Sequence, residues 1–158
     1  MLAGVIALFA LALLAGCDQK KIEKLEEGLS TENDVRAQFG QPYAVVQQPD
    51  GSKTLEYPRQ PEGQTNYMIT IDAGGKMSSL RQLLNTDNLA RVVPGLTRDE
   101  VRRMLGKPAK MQRFELKRQE VWDWRYQDRD AKMFSVTFDD NGRVLGTASI
   151  PDPKYDKP

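Results

Sequence analysis

The run "LTRDEVRRMLGKP" at positions 96–108 repeats the pattern of "LSTENDVRAQFGQP" at 29–42. Thr31, Val35, Gly40 and Pro42 align with Thr97, Val101, Gly106 and Pro108 at an offset of 66. Gly28, Tyr57, Ile71 and Gly75 align with Gly95, Trp124, Phe138 and Gly142 at 67. Single matches arise by chance, but an ordered series at offsets of 66 and 67 marks an internal duplication, with one residue gained before the Thr in the first copy and one after the Pro in the second. The fold must therefore be one in which a unit of about 65 residues occurs twice. A unit that small is near the lower limit for independent stability, so the two copies are expected to share a core or a continuous sheet.

Each copy has the same local grammar. Thr97-Arg98-Asp99-Glu100 is a capping box, and Thr31-Glu32-Asn33-Asp34 is its counterpart with a shorter acid. Val101, Met104 and Leu105 fall on one helical face, as do Val35 and Phe39. Gly106 and Gly40 stand where a left-handed C-cap belongs, with Pro two residues on. An amphipathic stretch precedes each helix: Ile22, Leu25 and Leu29 in the first copy, Leu89, Val92 and Val93 in the second. Beyond each Pro the period changes to two. Strands are expected over 53–58, 67–72 and 76–84, then over 120–126, 132–139 and 143–150, with Asp140-Asn141-Gly142 as a hairpin turn. The class is α+β: two tandem helix–helix–three-strand repeats with antiparallel sheet. The loop "PRQPEGQTN" and the tail "PDPKYDKP" read as solvated and mobile.

Of the 158 residues none is His and one is Cys. The usual general base, the commonest metal ligand, an internal disulfide and a thiolate zinc cluster are therefore absent. Net charge is +1, with no overall preference for nucleic acid. Asp128, Asp130, Asp139, Asp140 and Asn141 fit no EF-hand spacing. No carboxylate constellation or Gly-rich phosphate loop stands out, so no catalytic residue, metal or cofactor is assigned.

The single Cys belongs to the N-terminus. "MLAGVIALFALALLAGC" is apolar, too short to span a bilayer and suited to a signal peptide. Its end, Leu14-Ala15-Gly16-Cys17, resembles a bacterial lipobox. That resemblance implies cleavage before Cys17 and its acylation, with lipid as the anchor. No Lys or Arg precedes the apolar run, which leaves the true start open. The expected organisation is signal peptide 1–16, lipidated Cys and tether 17–21, first repeat 22–85, second repeat 86–150 and disordered tail 151–158.

The pattern G-[LM]-[ST]-x-x-x-[VI]-x-x-x-[LF]-G-x-P, an aromatic strand and "F-D-x-x-G-x-[VL]" together resemble the SmpA/OmlA, or BamE, lipoproteins. "GLTRDEVRRMLGKP", "WDWRY" and "VTFDDNGRVL" carry the likeness, closely over Leu89–Ile150 and loosely over Ile22–Leu84. The tandem α/β arrangement is also similar to β-lactamase inhibitory protein. The resemblance implies a non-enzymatic lipoprotein of a Gram-negative cell envelope, facing the periplasm. Its partners would be proteins such as the barrel-assembly machinery, and anionic lipid headgroups. The alternative is a periplasmic inhibitor or sensor that clamps a secreted enzyme with its sheet. The family points to the outer membrane, whereas Asp18-Gln19 after the Cys resembles an inner-membrane retention signal, so the address stays open.

Two groups are candidates for partner contact. Positions 98–118 hold eight basic and three acidic residues. Arg102, Arg103, Lys107 and Lys110 could form one edge facing an anionic surface, or merely a solvated face. Trp122, Trp124 and Tyr126 share one strand face. They serve as hot-spot anchors or as core, and Trp124, in register with Tyr57, reads as core.

Overall fold

The computed structural model describes residues 18–155. Cys17, the apolar leader and residues 156–158 lie outside the described residues. The elements run α1 (Glu32–Phe39), β1 (Ala44–Gln47), β2 (Lys53–Pro58), β3 (Asn66–Ile71), β4 (Met77–Gln82), α2 (Thr86–Ala90), α3 (Arg98–Leu105), β5 (Lys110–Phe114), a 3-10 turn (Glu115–Lys117), β6 (Gln119–Asp128), β7 (Asp130–Phe138) and β8 (Val144–Pro151). They form two four-stranded antiparallel sheets, β1-β2-β3-β4 and β5-β6-β7-β8. The α+β class stands, with one strand more per sheet than expected and no single continuous sheet. The added strands, β1 and β5, are short and largely exposed on both faces. They therefore lack the alternation that marks a half-buried strand.

Several bonds recur at aligned positions of the two copies. Both capping boxes form: Thr31 with Asp34, and Thr97 with Glu100. The Gly28 N–H donates to Met77 O at 2.8 Å, and the Gly95 N–H to Val144 O at 2.8 Å. Glu32 N–H reaches Gly75 O, and Arg98 N–H reaches Gly142 O. The helix-ending glycines have φ 79° and ψ −156° at Gly40 and φ 75° and ψ −165° at Gly106. Positive φ was expected, but ψ lies near −160° rather than in the left-handed helical well. Only glycine adopts that region readily, so its identity is more tightly required than a left-handed cap would demand.

Four expectations need correction. The amphipathic stretch 22–29 is helical only over 18–22 and then turns. Leu29 is 62% exposed, because the chain leaves the helix to lay Gly28 and Ser30 beside Met77. Val93 is likewise exposed, while Leu89 and Val92 are buried. In the 58–66 loop, Gln60 is buried, its amide donating to Arg125 O at 2.7 Å and accepting from Arg125 N–H at 3.0 Å. The tail is ordered through its described part: Pro151 ends β8, and Asp152, 1% exposed, donates its N–H to Ala131 O at 3.0 Å.

Two compact units emerge, and their borders are not the repeat borders. One comprises the described residues through Leu55 together with Ile69–Leu80. Its buried apolar residues include Val35, Phe39, Leu55, Ile69, Ile71 and Met77. The other joins Glu56–Met68 to the described residues from Arg81 onward. Its core packs Leu89, Val101 and Leu105 of the helices against Trp124, Val136 and Phe138 of the sheet. Buried polar groups bind Glu56–Met68 into this second unit. Asn66, fully buried, donates from Nδ2 to Leu105 O at 2.7 Å and Lys107 O at 2.9 Å. These are carbonyls at the end of α3 that no intrahelical donor satisfies.

Candidate partner-binding surface

The basic stretch begins on α3, whose capping box directs Val101 and Leu105 inward. Arg102 does not point freely outward. It donates to both oxygens of Glu56, at 2.6 and 3.0 Å, and Glu56 also accepts the Lys107 N–H at 2.9 Å. Glu56 is buried, so this bidentate grip and the amide bond are what make its burial tolerable. Lys107 is half-buried at the same place. Arg103, exposed on α3, lies in the field of Glu100, and Lys110 is exposed on β5. Arg102 and Lys107 thus gather on Glu56, and the free edge of four cations imagined from the sequence does not exist as such.

The rest of the stretch is largely compensated within the protein. Arg98 Nε lies 2.8 Å from Glu120 Oε2. Arg113 bonds Asp140 at 2.6 Å, and Arg118 bonds the same carboxylate through Nε at 2.9 Å. Hydrogen bonds from Arg113 first and Arg118 second hold the Asp140 carboxyl below its ordinary range. This acid ties the β5–β6 hairpin to the β7–β8 turn. Asp139 accepts the N–H groups of Asn141 and Arg143, each at 2.9 Å, and Asp128 pairs with Lys132 at 2.9 Å. The acidic residues that could have suggested a cation site therefore serve turns and ion pairs.

Trp122 and Tyr126 are core, not surface anchors. Trp122 is 8% exposed, packs on Phe138 with ring centroids 4.9 Å apart, and donates its indole N–H to Glu120 at 2.7 Å. Tyr126 is 4% exposed and its hydroxyl meets Ser149 Oγ at 3.3 Å. Trp124, fully buried, donates to Gly106 O at 3.1 Å. The shared strand face read from the sequence is correct, and it is the helix-covered face.

What the sequence reading missed is the β5–β6 hairpin. Residues 111–118 are all exposed. Met111 and Phe114 project from β5, and Leu116 at the tip is as exposed as in an extended chain, at 103%. Lys110 and Lys117 flank them, both exposed. The available signal was a Leu and a Phe set among charges between Pro108 and the aromatic strand.

Residues 82–148 match the sequence model described as the outer membrane protein assembly factor BamE domain. No curated protein is significantly similar to the chain. Among solved structures, a putative osmotically inducible lipoprotein, OsmE, is 25% identical, with 44% of this chain and 82% of that chain covered at TM-score 0.39. A putative β-lactamase inhibitor protein from Streptococcus mutans is 9% identical, with 84% and 94% covered at TM-score 0.33. A DUF4309 family protein, YjgB, from Bacillus subtilis is 17% identical, with 81% and 82% covered at TM-score 0.32. Within the second repeat the match takes in the capping box, the helix-ending glycine, the aromatic strand and the Asp-Asn-Gly turn, and over residues 82–148, less than half of the chain, the sequence is similar to the BamE domain.

Proposed function

We propose that the chain is a non-enzymatic lipoprotein of a Gram-negative cell envelope, whose second repeat binds protein partners of the outer-membrane protein assembly machinery. The observation that carries this reading is the match of residues 82–148 to the BamE domain. The lipobox-like Leu14-Ala15-Gly16-Cys17 supplies the anchor, through acylation of Cys17. The contact surface is the one left exposed after the internal ion pairs are formed: Arg103, Lys110 and Lys117 with Met111, Phe114 and Leu116. Basic side chains around exposed apolar ones suit an acidic protein surface and, near a membrane, anionic headgroups.

The test is co-purification of the full chain from detergent-solubilised envelopes. Barrel-assembly components should be recovered, and changing Lys110 and Lys117 to Glu should deplete them while the fold is retained. Recovery of a soluble secreted enzyme instead would overturn the assignment. Cys17→Ser should abolish lipid labelling and leave unprocessed precursor, and a labelled Cys17→Ser protein would remove Cys17 as the anchor.

A further inference from the structure

Strand edges carry unpaired N–H and C=O groups, and soluble proteins guard them with charge, cover or brevity. Among the described residues the two sheets end on β1, β4, β5 and β8. β1 has four residues. β5 carries Lys110 and Arg113. β4 is covered: Met77 exchanges bonds with Gly28 and Ser30, and the Glu27 carboxylate accepts the Leu80 N–H at 2.9 Å. β8 has eight residues, Val144–Pro151, none charged, and is exposed along most of its length.

The duplication shows what β8 lacks. Val144 is bonded to Gly95 and Leu96 just as Met77 is to Gly28 and Ser30. Leu80 aligns with Thr147 and Glu27 with Pro94, each at the offset of 67. Proline has no side-chain acceptor, so the device that closes the β4 edge is missing at β8. The bulge opposite Thr137 and Phe138 sets the alternation. Val144 faces outward, Arg143 and Asp152 bond inward to Asp139 and Ala131, and Thr147 and Ser149 therefore face outward. The next outward position is Pro151, which has no N–H to leave unpaired.

We propose that β8 pairs with β8 of a second copy of this chain, antiparallel about a two-fold axis at Ala148. In that register Thr147 faces Ser149 of the partner, and both members present outward N–H and C=O groups. The two such pairs make four backbone bonds. Shifting the register by two residues loses bonds or brings in Pro151. Ala148 meets its own counterpart. Ile150, now 48% exposed, lies across from Gly146, which leaves it room. With no charge in the strand, the two-fold brings no like charges together. The contact is isologous and closes as a dimer. A single strand pair falls near or below the ~1,000 Å² of a robust interface, so association is weak in dilute solution and favoured where copies are concentrated on one membrane. This inference stands apart from the identity of any assembly partner.

The experiment is sedimentation of the full chain in density-matched detergent over a wide concentration range. The mass should rise from one chain to two. Ala148→Lys and Ala148→Glu each place like charges on the axis and should weaken pairing by about tenfold or more. Mixing those two variants should restore a one-to-one dimer. Pro94→Glu should also weaken pairing by restoring the guard, and Gln112→Lys on β5 should not. Amide exchange at Thr147 and Ser149 should slow in the dimer. A chain that stays monomeric throughout, or dimers indifferent to both Ala148 charges, would overturn the proposal.

Discussion

Gly40 and Gly106 close equivalent helices at nearly the same backbone angles, but their surroundings differ. A Cβ added at Gly40 would meet nothing within 4 Å, whereas one at Gly106 would meet Asn66 Nδ2 at 3.0 Å. The first glycine is needed for its conformation alone, and the second also for the closeness of its neighbour. The same divergence runs through the ion pairs. Glu32 on α1 holds Arg36 and Lys53 in a partly exposed pair, while Arg102 on α3 holds the buried Glu56. One copy carries the repeat's grammar in an ordinary setting. The other has its helix end built into a buried polar network of Glu56, Asn66 and Trp124.

The glycine pair gives the largest expected contrast. Gly40→Ala should cost about 1–3 kcal/mol from backbone strain alone. Gly106→Ala should cost about 1–3 kcal/mol more, because it displaces a buried amide that satisfies two carbonyls. A double-mutant cycle isolates the second part: with Asn66→Ala already in place, Gly106→Ala should fall back to the cost of Gly40→Ala. Equal costs for the two single substitutions in urea unfolding would show that the closeness of Asn66 is immaterial.

The ion pairs come next. Arg102→Ala strips a buried carboxylate of its bidentate partner and leaves it the Lys107 amide. The Arg102 side chain is 32% exposed, so the cost should be about 1–3 kcal/mol, below the figure for a fully buried pair. Arg36→Ala removes one of two cations from Glu32, an acid more exposed than Glu56 that keeps Lys53, and should cost less than about 1 kcal/mol. Thermal melts of the two variants decide the order, and a reversed order would break the contrast between the copies.

The equivalence of the copies, as distinct from their divergence, rests on the caps. Thr31→Ala and Thr97→Ala should each cost about 1 kcal/mol, measurable as matched shifts in the unfolding midpoint. These caps were legible in the sequence because a capping box involves residues three apart. The helix-ending glycines, the Asp-Asn-Gly turn and the buried Trp124 were legible for the same reason, being local pattern or periodicity. The hold of Asn66 on Leu105, of Gln60 on Arg125 and of Glu56 on Arg102 was not. Each joins residues about 40 to 65 positions apart, and a lone Asn, Gln or Glu has no periodicity to reveal its partner. Arg102 was read as outward-facing for that reason: its acidic partner Glu56, 46 positions away, could be placed only once the chain was folded.

The smallest expected difference between the copies is in acid. Asp34 and Glu100 are held below their ordinary values of 3.8 and 4.5, first by the backbone N–H of Thr31 or Thr97 and then by that residue's hydroxyl. A carboxylate whose pKa is lowered on folding stabilises the fold above its unfolded pKa. That contribution is lost as pH falls through the lower, folded value. Both caps should therefore weaken over the same acid window, beginning near the ordinary carboxylate values and ending below them. Asp34→Asn and Glu100→Gln should each flatten the fall of stability with acid by a similar amount. Carboxyl titration followed by NMR should find both groups shifted downward together. A Glu100 that titrates at its ordinary value beside a depressed Asp34 would mean that the longer acid does not close its capping box in solution. The two helix starts would then differ as their ends do.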